Sequence, residues 1–471
     1  MTLSQWLTLH GLFSIVGLLV YVLVSHVRQQ RRHPSAAIGW VLFLLLLPYA
    51  ALPLYLLVGT RKLTRTGRSS LAARAARPID AESAWPAQVA AALGQPPPTT
   101  YRALYIHADG SESLRALLEV IDGAQHTLDL CTFILGRDAL GITVSAHLIA
   151  RARAGVRVRL LLDGVGRMLG GRPDLSALMH AGVRVGLFVP PLHSPLKGRT
   201  NLRNHRKLVV SDDGYAAARL WSGGRNLAAE YFEGRPGHAA WRDRSFDLQG
   251  PLVRQAADLF QRDWVFAVGA EPPTTGAAVA EVDAKFATTA VSGEPTGQVI
   301  ASGPDQIDDT VQALLVSAAY RARKRMTLVS PYVVLDDALL MALTLAARRG
   351  VQVDLLLPAR SNHRLADIAR HRSLRALAGA GVRVWLAPQM LHAKAAVIDD
   401  VLALVGSTNL DSRSLFLNYE LMVAFHDASD IARYTAWLDL ERSTARPYVA
   451  QPPGLWRDVG EGLVLWVGFQ I

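Results

Sequence analysis

The chain runs through one order of segments twice, and no other feature constrains its fold as strongly. In the first pass an amphipathic helix pattern, SLRALLEVIDGA (113–124), precedes an apolar, strand-like run, TLDLCTFIL (127–135). A second helix pattern follows, then two runs each opened by a glycine, GVRVRLLLDG (155–164) and GVRVGLFVP (182–190). The second pass gives TVQALLVSAAYRA (310–322), TLVSPYVV (327–334), a helix through Ala346, GVQVDLLLP (350–358) and GVRVWLAP (381–388). Short apolar strands alternating with amphipathic helices predict α/β domains whose sheets are covered on their faces. Two tandem copies predict two α-β-α domains, 101–270 and 298–450, related by a pseudo-two-fold axis. Stretches rich in Ala, Pro, Gly or Thr read as linkers at 61–100 and 271–297.

Each pass then delivers the same polar signature. The first has His205-Arg206-Lys207, four residues, then Asp212; the second has His392-Ala393-Lys394, four residues, then Asp399. Each opens a strand-like run and leads to a turn, Gly223-Gly224-Arg225-Asn226 in one case and Gly406-Ser407-Thr408-Asn409 in the other. A His and a Lys two apart on a strand point to one face and can reach one ligand. The chain has six lysines among its 50 basic residues, yet both motif positions are lysine. A compact ammonium with freely rotating donors suits a phosphate oxygen.

Charge is distributed unevenly. No Asp or Glu precedes Asp80, and residues 1–79 hold nine basic groups: Arg28, Arg31, Arg32, Arg61, Lys62, Arg65, Arg68, Arg74 and Arg77. They carry most of the net +11, so the remainder is close to neutral. Without a basic stripe interleaved with aromatics, that remainder does not read as a nucleic-acid surface. The segments 1–27 and 33–60 contain no Asp, Glu, Lys or Arg. Each has the roughly 20 residues a spanning helix needs, which predicts a two-helix transmembrane hairpin over 1–60, kinked or partly re-entrant at Pro48 and Pro53. Counting positive charges puts the large C-terminal part in the cytoplasm. The apolar tail, GLWRDVGEGLVLWVGFQI (454–471), is too short to span; it docks at the membrane interface or packs on the domain. The single cysteine, Cys131, excludes a disulfide framework and any multi-cysteine metal site.

The duplicated motif with its trailing asparagine resembles the phospholipase D superfamily. The N-terminal pair, with PSAAIGW (34–40), Pro48-Tyr49 and LYLLVG (54–59), narrows the resemblance to bacterial cardiolipin synthases of the phospholipase D type. Asp138, Gly141, WRDRSFDLQGP (241–251), SGP (302–304), SPY (330–332) and NYE (418–420) agree with it. Two details depart. Asp212 to Gly223 is four residues longer than Asp399 to Gly406, and the loop FVPPLHSPLKGRTNL (188–202) is unusual. Asp213-Gly214 with Ala217, Ala218 and Arg219 is one residue out of step with the motif of CDP-alcohol phosphatidyltransferases, and the downstream carboxylates of that route are missing.

The resemblance implies two phospholipase D-like domains in a bacterial inner membrane protein that acts on phosphatidylglycerol and other anionic phospholipids. It implies phosphatidyl transfer between two phosphatidylglycerols, giving cardiolipin and glycerol, with no cofactor and no metal. A phospholipase D-type hydrolase and a nucleic-acid phosphodiesterase remain as alternatives. An imidazole attacks phosphorus directly and a second one moves the proton. The resemblance places His205 as nucleophile and His392 as acid and base, an assignment that is open to reversal. Lys207, Lys394, Asn226 and Asn409 hold the phosphate oxygens, and Asp243 and Glu420 orient the histidines. Asp212 and Asp399 complete the two catalytic motifs and brace them. Oligomeric state is left open.

Overall fold

The computed structural model describes residues 2–27, 34–59, 85–190, 200–269 and 293–468. The juxtamembrane arginines, most of the 271–297 linker, the middle of the 188–202 loop and Phe469 lie outside the described residues.

The repeated order of segments folds into two sheets with one strand order. The first has seven strands, in spatial order 102–106, 245–249, 219–223, 208–211, 127–132, 157–163 and 184–188. The second repeats this order with 296–302, 420–425, 402–406, 395–398, 325–329, 352–358 and 383–387, and adds a short strand at each edge. In both, the last three strands run parallel and the others antiparallel. The parallel strands are the continuous apolar runs, buried on both faces as such strands require. Aspartates start the outer helices: Asp109 accepts from the Glu112 N–H, Asp138 from Gly141 and Asp336 from Ala338 and Leu339. Each outer layer then packs on its own sheet in a separate core.

The inner faces of the two sheets share a third core, with the helices 252–268 and 428–443 between them. Phe425 is central to it, edge-on to Tyr101 and Phe246. Part of the expected 61–100 linker belongs to this body. Trp85–Ala92 is a helix packed on 310–321 with Trp85 buried, and Thr99–Thr100 pairs with 296–297. The extended hairpin after Asp212 is a compact turn in which Tyr215 stacks on His126 at 3.9 Å, at the far end of its strand from His205.

At the N-terminus the first apolar stretch is one helix and the second is interrupted, as the expected kink allows. Helix α1, Leu3–Val27, is long and apolar enough to cross a membrane. The second apolar stretch is two helices, α2 (Pro34–Leu46) and α3 (Pro48–Val58), each too short alone. The break falls at Pro48, whose ring supplies no N–H to the preceding turn. His10 and Ser14 of α1 approach the Leu45 carbonyl at 2.9 and 3.4 Å, serving an acceptor beside the break. Tyr21, Trp40, Leu44, Ala51 and Tyr55 bind the three helices together. The C-terminal helix, Leu455–Gly468, packs on 364–379, where Glu461 pairs with Arg375 at 2.6 Å, while Leu455 and Trp456 remain exposed. Glu461 and Val464 of this helix face the domain, and its start presents an apolar surface.

Candidate active site

The two motifs meet where the sheets face each other, and each histidine is oriented by the opposite half. His205 Nδ1 lies 3.1 Å from the Glu420 carboxylate, and His392 Nδ1 lies 2.6 Å from Asp243. Backbone bonds across the interface set this crossing. His205 N–H donates to the Tyr419 carbonyl (2.9 Å) and Tyr419 N–H to the Arg203 carbonyl (2.8 Å), which places Glu420 beside His205. In the other pair His392 N–H donates to the Arg242 carbonyl (2.6 Å) and Arg242 N–H to Met390 (2.9 Å), which places Asp243 beside His392. A carboxylate on Nδ1 fixes the tautomer and turns Nε2 toward the reacting atom.

The lysines fold back onto their own motifs. Lys207 Nζ donates to the His205 carbonyl at 2.6 Å. Lys394 Nζ reaches the His392 carbonyl and stands 2.7 and 2.8 Å from the two ring nitrogens. Asn226 donates to the Tyr231 hydroxyl at 2.8 Å and Asn409 to Ser414 at 3.2 Å, while the buried Oδ1 atom of each has no hydrogen-bond partner among the described residues. Both asparagines and both histidines line one cavity of about 280 Å³. Asp212 and Asp399 stand apart from it. Asp212 accepts from the N–H groups of residues 125, 126 and 127, and Asp399 from those of 323, 324 and 325. Each braces its motif strand against the neighbouring strand.

Burial sets the electrostatics. It lowers the His392 imidazolium, the Lys394 charge adds to this, and together they outweigh Asp243, down to about 3. Burial lowers His205 too, with Glu420 opposing. The ammonium groups come down to about 8 at Lys207 and about 7 at Lys394, chiefly through burial. Burial alone would raise Asp243, but Lys394 and His392 overcome it and hold the carboxyl at about 2. The same balance leaves Glu420 below its ordinary range. The site thus contains two neutral imidazoles on two ionised carboxylates, with cations beside them.

The halves are not identical here. At Gly224 a Cβ would come within 2.3 Å of the Asp243 carboxylate, so the first turn needs glycine. The matching Ser407 donates its hydroxyl to Glu420. His205 keeps 12% of its side-chain surface exposed and His392 only 3%. Motif reading missed the aromatic walls. Phe133 lies edge-on to His205 at 5.1 Å, and Tyr231 and Trp241 pack on His392 at 5.0 and 5.4 Å. It also missed Arg206, whose buried guanidinium bonds Asp263 of its own half and reaches across the interface to Asp305 and the Glu420 carbonyl. The signal for Arg206 was alternation, since the residue between His205 and Lys207 must face the opposite side. Among the described residues no cluster of three His, Cys, Asp or Glu has the geometry of a metal site.

Comparison with known proteins agrees with this arrangement. The family model described as cardiolipin synthase, PLD-like domain, matches residues 117–264 and 315–440, and one described as phospholipase D-nuclease N-terminal matches 12–59. Cardiolipin synthase A of Pseudomonas aeruginosa PAO1 is 32% identical over 450 residues, covering 91% of this chain and 89% of that one. Cardiolipin synthase A of Pseudomonas entomophila is 29% identical over 461 residues, covering 93% of each. The crystal structure of a phosphatidylserine synthase from Haemophilus influenzae shares the fold, with a TM-score of 0.60 at 12% identity over 83% of this chain and all of that one. A duplicated His-Lys motif closed into one cavity, in a chain matched nearly end to end, makes this a member of the cardiolipin synthase family of phospholipase D-like enzymes.

Proposed function

We propose that the chain makes cardiolipin by moving a phosphatidyl group from one phosphatidylglycerol to a second, releasing glycerol, through a phosphatidyl-histidine intermediate. The observation that carries the reading is the single cavity lined by both motif histidines, each bonded to a carboxylate of the other half. A double displacement needs a nucleophile and an acid/base group on one phosphorus, and a crossed pair supplies both. His205 is the nucleophile, since it is the more exposed imidazole and among the described residues only Nδ1 is hydrogen-bonded. His392, neutral in the free site, takes up a proton as the phosphate anion enters beside it, passes that proton to the leaving glycerol and recovers one from the incoming hydroxyl. The two lysines and the two asparagines hold the non-bridging oxygens as charge shifts onto them.

Membrane association follows from α1 and from the family. Within the proposal, α2 and α3 together make the second crossing, so both ends of the N-terminal unit lie on one side. The arginines after it favour the cytoplasmic side of a bacterial cell membrane for the catalytic domains. The exposed start of the C-terminal helix, with Trp456 at the surface, rests against the bilayer.

The intermediate is tested by alkaline quenching of enzyme mixed with head-labelled and phosphorus-labelled phosphatidylglycerol. Phosphorus label retained on His205, acid-labile and free of the head label, is the expected result. Label on neither histidine during turnover would contradict the covalent route.

A further inference from the structure

The cavity holds two guanidinium groups that displacement at His205 does not use. Arg203 stands two residues before His205 on the segment held to Tyr419 by paired backbone bonds, and it is buried. Arg413 comes from the other half, at the helix 412–416, and lines the same cavity. Among the described residues Arg203 donates to the carbonyls of Val189, Leu202 and Thr200, and Arg413 donates to the side chain and backbone of Asn201 at 3.1 and 3.0 Å. The nearby carboxylates are committed to backbone, Asp163 to the N–H groups of Val165, Gly166 and Asn204, and Asp411 to that of Ser414. Burial lowers both arginines; Asp163 opposes it at Arg203, and at Arg413 the Arg203 charge adds to it while Asp411, Asp163 and Glu420 oppose it. Both guanidinium groups line the cavity that holds His205 and His392, one from each half, and the guanidinium fork matches phosphate oxygens.

We propose that Arg203 and Arg413 form a second anion subsite, which takes the phosphodiester of the acceptor phospholipid. The inference rests on the transfer reading above. Two residues of extended chain separate Arg203 from His205 by about 7 Å, comparable with the three-carbon bridge between the two phosphates of the product. With its phosphate held there, the acceptor glycerol presents its free primary hydroxyl to the phosphatidyl-His205 phosphorus. The hydroxyl oxygen forms the new P–O bond, the P–Nε2 bond breaks with its electron pair returning to the imidazole, and His392 takes the hydroxyl proton. Water and simple alcohols carry no phosphate and gain nothing from the subsite, so it favours transfer to lipid over hydrolysis.

Full-length enzyme in phosphatidylglycerol vesicles containing ethanol makes cardiolipin and phosphatidylethanol from one intermediate, so their ratio is independent of how fast that intermediate forms. In Arg413→Gln the ratio of cardiolipin to phosphatidylethanol falls at least about tenfold, the loss of a charge-assisted contact, and Arg413→Lys recovers part of it. Phosphatidylethanol formation also reports a folded donor site in each variant. An unchanged ratio in Arg413→Gln, with both products present, would overturn the subsite while leaving the transfer reading intact. Wild-type enzyme that makes phosphatidylethanol but no cardiolipin would instead overturn the transfer reading.

Discussion

Burial brings the ammonium groups of Lys394 and Lys207 down to about 7 and about 8, where an exposed lysine would still be fully charged. A cation with a lowered pKa loses its proton early as pH rises, and with it the contact to a phosphate oxygen. kcat/KM, which reports the free enzyme, therefore falls as pH rises above about 7 to 8, and a profile flat to about pH 10 would remove the lysines from substrate binding. His205→Ala and His392→Ala lower turnover by about a thousandfold or more while the circular dichroism of the folded protein is kept. Activity within tenfold of wild type in either variant would end the two-histidine account. Lysines at the two motif positions, in a chain that otherwise prefers arginine, were legible in the sequence. The aromatic walls were not, because Phe133, Tyr231 and Trp241 gain their meaning only from rings packed around the imidazoles.

Asp212 and Asp399 show how a motif residue acts through its element. Both adopt left-handed backbone, at φ +51° and +47°, a conformation aspartate tolerates better than most residues. That turn aims each carboxylate at three successive N–H groups beginning the strands at 127 and 325. Replacing either by Ala costs about 2–3 kcal/mol of stability, the scale for charge-assisted bonds left unmade. Denaturant titration of the solubilised protein checks this, with activity per folded molecule changing much less than in the histidine variants. A collapse of activity without loss of stability would make these aspartates catalytic in their own right. The strands and main helices were readable from period and glycine punctuation. The helix 85–92 and the strand 99–100 were not, because partners 200 residues away in sequence decide the burial of Trp85 and the pairing of Thr99. The prolines marked trouble in the second apolar stretch; the break falls at Pro48, at the start of α3, while Pro53 stays within α3.

At the scale of the whole molecule, the two halves make one site and neither contains a complete one. Glu420 belongs to the second half and orients the histidine of the first; Asp243 does the reverse. The motifs WRD and NYE were visible in the sequence, but which carboxylate serves which histidine is a property of the interface, fixed by the backbone bonds at Arg242 and Tyr419. Glu420→Gln therefore lowers the rate at which label reaches His205, by about a hundredfold or more for a lost orienting charge. Under the proposed roles, Asp243→Asn slows both the arrival of label at His205 and its loss to the acceptor, because His392 moves the proton in each step. Rapid-quench labelling separates the two, and identical effects of both substitutions would contradict the crossed assignment. The most direct test of the account is the product balance of purified enzyme in phosphatidylglycerol vesicles with no nucleotide-activated lipid. Cardiolipin and glycerol in equal amounts are expected; phosphatidic acid and glycerol without cardiolipin would make the enzyme a hydrolase and contradict it.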